Sequence, residues 1–371
     1  IAMKLIRRMR ERDPSCEFVL STTTSTGFAL ASEQRTDWLE PIYNPLDFFL
    51  FTRRALDIIR PARIVLVEAE VWPNLVCQAR ARGIPTALVN ARLSPRSESR
   101  FRAFRFFTAP IFNQLDLICV QEPEDVHRWT SLGVDRSRIV LTGSIKFDDA
   151  FSSQRNPRDF QPMLRQVGIP EGAPVLLGAS THKGEEASLG RALLALRDAF
   201  PDLLFISVPR HAERAAEAKA DLEALGLKVQ LRSEMRAVRA EGSSSGASGR
   251  PDVLLVNTTG ELRDWYDCAT VVFVGKSLLT ARGGQNPAEP IVAGRATIFG
   301  PHMQNFAILV HGLLRAEGAV SISDEAALPD TIEQLLRNPE KRASLIRNGQ
   351  SVVASHRGAT DRTCDALRIG G

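Results

Sequence analysis

"TVVFVGKSLLTARGGQNPAEPIVAGRATIFGP", residues 270–301, sets two runs of β-branched and aromatic residues on either side of a glycine pair. Neither "TVVFVG" nor "ATIFGP" alternates apolar with polar, so each reads as a strand buried on both faces. Between them, Gly283 and Gly284 allow a tight backbone turn. Pro287 suits the first turn of a helix, and Glu289 falls within that turn. Strand, glycine turn, helix and strand in this order describe one unit of a parallel sheet covered by helices.

The same reading extends to both ends of the chain. "CEFVLSTTT", "RIVLVEAE", "PTALVNAR", "LDLICVQ" and "RIVLTGSIK" precede residue 149, and "PVLLGAS", "LLFISVPR" and "VLLVNTTG" follow residue 173. Helical stretches separate them. The expected fold is therefore α/β, with two Rossmann-like lobes built on parallel sheets and a ligand cleft between them. Residues 1–150 form the first lobe, 151–172 a proline-containing linker, and 173–345 the second lobe. A C-terminal helical segment, 346–371, is placed to return to the first lobe. "EGSSSGASGRP" (241–251) reads as a flexible surface loop inside the second lobe.

A chain of 371 residues suits two domains. With 44% apolar and 24% charged residues it has a globular composition, and no tract is long enough to span a bilayer. The net charge of +4 is too mild for a nucleic-acid specialist. Five scattered cysteines without a CxxC pair fit unpaired thiols in a reducing compartment and offer no zinc site. No DxD-like cluster sits in a strand-end loop, so neither metal nor cofactor is expected. "IAMKLIRRMRER" reads as helix from its first residue, Ile1, without an N-cap before it, as in a chain cut at its start.

Ligands of open parallel sheets bind beyond the carboxyl ends of the strands. Four such ends in the second half are polar or glycine-rich. They carry Thr181-His182-Lys183-Gly184-Glu185-Glu186, Pro209-Arg210-His211, Thr258-Thr259-Gly260-Glu261 and the stretch around Gly283 to Glu289. Each alone is equally an ordinary helix N-cap; four on one rim favour a nucleotide-like ligand. Glu289 can accept two hydrogen bonds from a ribose diol, or it can simply compensate the helix dipole.

These motifs, together with "TTTSTG" (22–27), "EAEVWPN" (68–74), "NARLSPRS" (90–97), "TGSIKFD" (142–148) and "FGPHMQNF" (299–306), resemble the Kdo transferases. These are the 3-deoxy-D-manno-octulosonate transferases of lipopolysaccharide synthesis, which have the GT-B glycosyltransferase fold. The resemblance runs over almost the whole chain. It implies an inverting enzyme that moves Kdo from CMP-Kdo to a lipid A precursor at the cytoplasmic face of the bacterial inner membrane. It also implies a CMP site made of Pro209, Arg210, Thr259, Gly260, Glu261, Asn286, Pro287, Ala288 and Glu289. In the first lobe, one of Glu68 and Glu70 resembles the family's charge-stabilising carboxylate. Lys146 resembles a lysine that steadies developing negative charge, although a solvated strand end would look the same.

Two positions depart from the family pattern. Gln285 stands where histidine is usual, and Lys276 where glycine is usual. Glutamine donates a hydrogen bond without charge; Lys276 either crowds the donor site or offsets the lost cation. The family's general base aligns about three residues upstream of Ile1, so the resemblance implies that the base is missing from this chain. "RSESRFRAFRFF" (96–107) mixes arginines and phenylalanines, as a segment on an anionic membrane surface would. Phenylalanines in a core beneath a solvated arginine rim are the other reading. Two rival functions stay open: a GT-B enzyme for a UDP-sugar, and a non-catalytic or divergent sugar-nucleotide-binding homologue.

Overall fold

A computed structural model describes residues 1–69, 71–93, 95–151, 158–235, 249–279 and 282–369. The chain forms two units, residues 1–149 with 356–371, and residues 150–355.

In the first unit, β1 (Phe18–Thr22) pairs in parallel with β2 (Leu39–Tyr43). A second parallel sheet runs β3 (Ile64–Val67), β4 (Thr86–Ala91), β5 (Leu117–Val120), β6 (Ile139–Leu141). Side chains alternate between faces along a strand, so Ile118 and Val120 enter one core and Leu117 and Cys119 the other. That second core is completed by Leu5 near the amino end and by Ala359, Cys364 and Leu367 near the carboxyl end. Helices Ala2–Arg12 and Ala359–Ile369 thus cover one face together. Arg8 Nε donates to Asp361 Oδ1 at 2.7 Å, and Arg12 bonds both Asp361 and Asp365. Asp148 accepts the N–H groups of Gly358 (2.9 Å), Ala359 (3.2 Å) and Thr360 (2.6 Å), which satisfies donors that a helix start leaves open.

The second unit carries β7 (Val175–Thr181), β8 (Leu204–Pro209), β9 (Val229–Leu231) and β10 (Val253–Leu255). It continues with β11 (Val271–Val274), β12 (Ala296–Phe299) and β13 (Val320–Ser321). All are parallel, in the order β13-β12-β11-β7-β8-β10-β9. Leu176, Phe205 and Phe273 face one core, while Leu177, Ile206 and Val272 face the other. Strand order reverses between the neighbours β7 and β11. This is the topological switch point, where the loops leaving adjacent strand ends run to opposite faces and open a crevice.

The expected linker, 151–172, is in large part not a bare connection. Residues 152–157 lie outside the described residues, as does 241–248 of the serine-rich loop. Phe160, Met163, Leu164 and Ile169, on and beside the short helix Gln161–Gln166, are buried in the second unit's core. Phe160 stacks on Trp265 with ring centroids 3.9 Å apart. The expected boundary at residue 345 falls inside an unbroken helix, Pro339–Ala354, which belongs to the second unit. The chain rejoins the first unit only at His356.

Candidate functional site

Four strand ends of the second unit build the rim. After β7, Gly184 at φ +87° turns the chain into the helix Glu185–Leu196. The Glu185 carboxylate, 1% exposed, is an acceptor hub. Its oxygens take the N–H groups of His182 (2.8 Å), Lys276 (2.8 Å), Ser277 (2.9 Å) and Leu278 (3.1 Å). One side chain therefore stitches the loop after β7 to the loop after β11. Burial pushes its pKa up, and the four donors pull the other way. Glu186, equally buried, accepts Thr181 Oγ1 at 2.9 Å and pairs with Arg214 at 3.1 Å.

After β8, Pro209 is buried and Arg210 is exposed, its backbone N–H tied to Thr181 O at 3.0 Å. After β10, Gly260 turns at φ +78°, and the Thr259 and Gly260 surface is open. Glu261 is 5% exposed and already engaged. It receives Arg158 Nη1 (2.8 Å), Arg232 Nε (3.1 Å) and Thr258 Oγ1 (2.7 Å). Its side chain holds the turn, so what this turn presents outward is Thr259 and the backbone.

After β11 the chain passes close against its neighbour. A Cβ on Gly275 would stand 2.3 Å from Ser180 O, and one on Gly284 2.3 Å from Met303 Sδ. Lys276 lies in the left-handed region at φ +59°. The helix here is a short one, Ala288–Val292, with Pro287 at its N-cap. Asn286 caps it through Oδ1 to Ala288 N–H (3.1 Å) and also approaches Glu289 Oε1 (3.3 Å). Glu289 Oε1 lies 3.6 Å from Arg263 as well, while the other oxygen has no partner among the described residues. Gln285 Nε2 meets His182 Nε2 at 3.2 Å. Burial first, then Lys276 and the nearby Arg214, His211 and Arg210, push His182 down to about 4, so its ring is neutral near pH 7. A neutral imidazole protonated on Nδ1 accepts the Gln285 amide.

In the first unit, Glu68 directly follows β3 in a left-handed conformation, φ +64°, with its N–H donating to Val89 O at 3.0 Å. Lys146 is half-buried. Burial lowers its proton affinity, Glu68 raises it and Arg92 lowers it further, which places these three charges together. Glu70 lies outside the described residues. The sequence reading did not single out Asn90. It too is left-handed (φ +50°) and buried, and its Oδ1 accepts Ile145 N–H at 3.0 Å, fixing the residue next to Lys146. Its signal was the polar residue closing the apolar run Ala87–Val89.

On the first unit's surface, Arg100, Arg102 and Arg105 are exposed, with Phe104 (58%), Phe106 (84%) and Phe107 (68%) beside them in sequence. Phe101 turns inward, edge-on to Phe112 at 5.2 Å. A second apolar group went unread in the sequence. Leu46, Phe48, Phe49, Leu50 and Phe51 are all more than half exposed, followed by exposed Arg53 and Arg54. Among the described residues, no helix is long and apolar enough to cross a membrane.

Two all-parallel α/β units belong to the GT-B class of fold. A solved structure of UDP-N-acetylglucosamine 2-epimerase shares the fold, with a TM-score of 0.58, 12% identity, and 98% of this chain and 91% of that one covered. Residues 1–149 match the family described as 3-deoxy-D-manno-octulosonic-acid transferase (kdotransferase). A 3-deoxy-D-manno-octulosonic acid transferase of Bordetella pertussis is 35% identical, covering 99% of this chain and 83% of the relative. The enzyme of the same name from Haemophilus influenzae is 30% identical over the same shares. The chain belongs to the Kdo transferase family of glycosyltransferases.

Proposed function

We propose that this protein transfers Kdo, with inversion, from CMP-Kdo to a hydroxyl of a lipid A precursor at the cytoplasmic face of the bacterial inner membrane. The observation that carries the reading is the row of strand ends around the β7/β11 switch point, where Arg210 stands exposed after β8, the Thr259-Gly260 turn is open after β10 and the Asn286–Glu289 helix start follows β11. Arg210 suits a phosphate, the open oxygen of Glu289 a ribose hydroxyl, and Pro209, Pro287 and Ala288 the walls of the CMP seat. Glu261 serves by holding its turn.

In this reading Glu68 and Lys146 work on charge. An acceptor hydroxyl loses its proton to a base as the sugar–phosphate bond breaks, and negative charge grows on the departing CMP. A half-buried ammonium with lowered proton affinity stabilises such charge more than a solvated one, and Glu68 balances positive charge on the sugar. The exposed phenylalanine and arginine groups of the first unit supply a face for an anionic bilayer, in which a lipid acceptor resides.

The test is donor discrimination followed by turnover. Calorimetric titration is expected to show CMP bound and UMP bound at least tenfold more weakly. The product of incubation with CMP-Kdo and a lipid A precursor is expected to carry an added Kdo by mass spectrometry. Equal binding of UMP, or no binding of either, would remove the CMP-sugar reading.

A further inference from the structure

The rim's charges do not cancel. Glu185 is consumed by four backbone N–H groups, and Glu186 by Thr181 and Arg214. Arg214 also pairs with Glu217. That leaves Lys276 and Arg210, whose side chains have no hydrogen-bond or ion-pair partner among the described residues. Lys276 is only partly exposed, and among the described residues no carboxylate neutralises its ammonium, so it is free to meet an anionic ligand.

Its backbone adds a second observation. A non-glycine residue at φ +59° is in the strained left-handed region, and this one is held there from both sides. Its N–H donates to Glu185 and its C=O accepts Gly284 N–H at 2.9 Å. The lysine is thereby fixed at the carboxyl end of β11, at the switch-point crevice, close to His182 and Gln285. The neutral His182 and the Gln285 amide bring hydrogen-bonding capacity without negative charge.

We propose that Lys276 is an anion-binding residue: with Arg210 it receives a negatively charged oxygen, phosphate or carboxylate, of the donor. The proposal rests on the donor-site reading above. That donor carries both kinds of group, and Lys276 meets one of them through a charge-assisted hydrogen bond.

The experiment uses the full chain and two variants, Lys276→Met, which keeps length without charge, and Lys276→Gly, which also relieves the backbone. Each is titrated with CMP, cytidine, free Kdo and inorganic phosphate, and the His182 ring is followed by NMR. Wild type is expected to bind CMP or Kdo about tenfold or more tightly than either variant, with cytidine unaffected. Phosphate should raise the pH at which His182 titrates in wild type and leave it unmoved in both variants. Loss confined to CMP assigns the phosphate, and loss confined to Kdo assigns the carboxylate; either supports the proposal. Variants that bind every charged probe as wild type does overturn it, and so does a wild type that binds none. Lys276-dependent phosphate binding without preference for CMP keeps the anion seat and removes the CMP reading. CMP preference indifferent to Lys276 does the reverse.

Discussion

The buried carboxylate of Glu185 accepts the backbone N–H of Lys276 at 2.8 Å, joining the first turn after β7 to the end of β11 across the switch point. With three further N–H donors on the same two oxygens, the acceptor capacity of this group is fully used. Replacing Glu185 by Gln substitutes an NH₂ donor for one oxygen and leaves at least one buried N–H facing another donor. The expected loss is about 1–3 kcal/mol of unfolding free energy, read by urea denaturation. CMP affinity should fall as well, because the loop carrying Lys276, Asn286 and Glu289 loses its anchor. An unchanged denaturation midpoint would show that the hub is dispensable.

The donor seat separates into charged and hydrogen-bonding parts. Arg210→Ala should weaken CMP binding by roughly 1.5–3 kcal/mol, and the loss should shrink as salt is raised, since Arg210 is exposed and screening applies. Glu289→Ala should cost a comparable amount that does not shrink as salt is raised, because the lost hydrogen bond goes to an uncharged ribose hydroxyl while the carboxylate's repulsion of the phosphate is what salt screens. Calorimetry at low and high ionic strength distinguishes the two, and an unaffected Glu289 variant removes the ribose assignment.

Much of the candidate site's local architecture was legible because its sequence signals are local. Buried parallel strands announce themselves as unbroken Val/Ile/Leu runs, and glycine pairs mark turns that only glycine tolerates, as the 2.3 Å approach at Gly284 shows. What escaped the sequence depends on partners distant along the chain. Glu185 looks like any glutamate that compensates a helix dipole, until its four donors, three of them more than 90 residues away, are seen. Glu261 read as a ligand for the nucleotide, whereas Arg158 and Arg232 occupy its carboxylate. The prolines around Gln161–Gln166 read as linker, because only the stacking of Phe160 on Trp265 reveals a core position. "DFFLF" (47–51) has the look of core, and only the fold shows it facing solvent.

The two chain ends of the first unit are linked by charge. Hydrogen bonding from Arg8, then from Arg12, holds Asp361 below the usual carboxylate range. A carboxylate depressed in the folded state contributes stability that is fully present above its unfolded value, 3.8, and is lost as pH falls through the folded value. Both side chains are more than a third exposed, so the discounted contribution is about 0.2–1 kcal/mol. Asp361→Asn should therefore be less stable than wild type at pH 6, and the gap should close below pH 4. A gap that persists into acid would mean that Asp361 acts through packing rather than charge.

The membrane face gives the last prediction. Of the three arginines in 100–105, Arg102 is paired with Glu98 at 2.6 Å, so Arg100 and Arg105 provide the net positive charge. Each is worth about 1 kcal/mol near an anionic surface, so Arg100→Gln with Arg105→Gln should weaken association with anionic vesicles by roughly 30-fold. Phe106 and Phe107, 84% and 68% exposed, can bury apolar area in the bilayer boundary at about 25 cal/mol per Å². Changing both to serine should lower the binding that survives high salt, where screening has removed the arginine contribution. The Phe48–Phe51 group offers an independent apolar contact, and its replacement by serines should add to that loss. CMP affinity should be untouched throughout, since all these residues belong to the first unit. Co-sedimentation with anionic and with zwitterionic vesicles at two salt concentrations is the measurement. Sedimentation that ignores both sets of substitutions would leave these exposed phenylalanines without a membrane role.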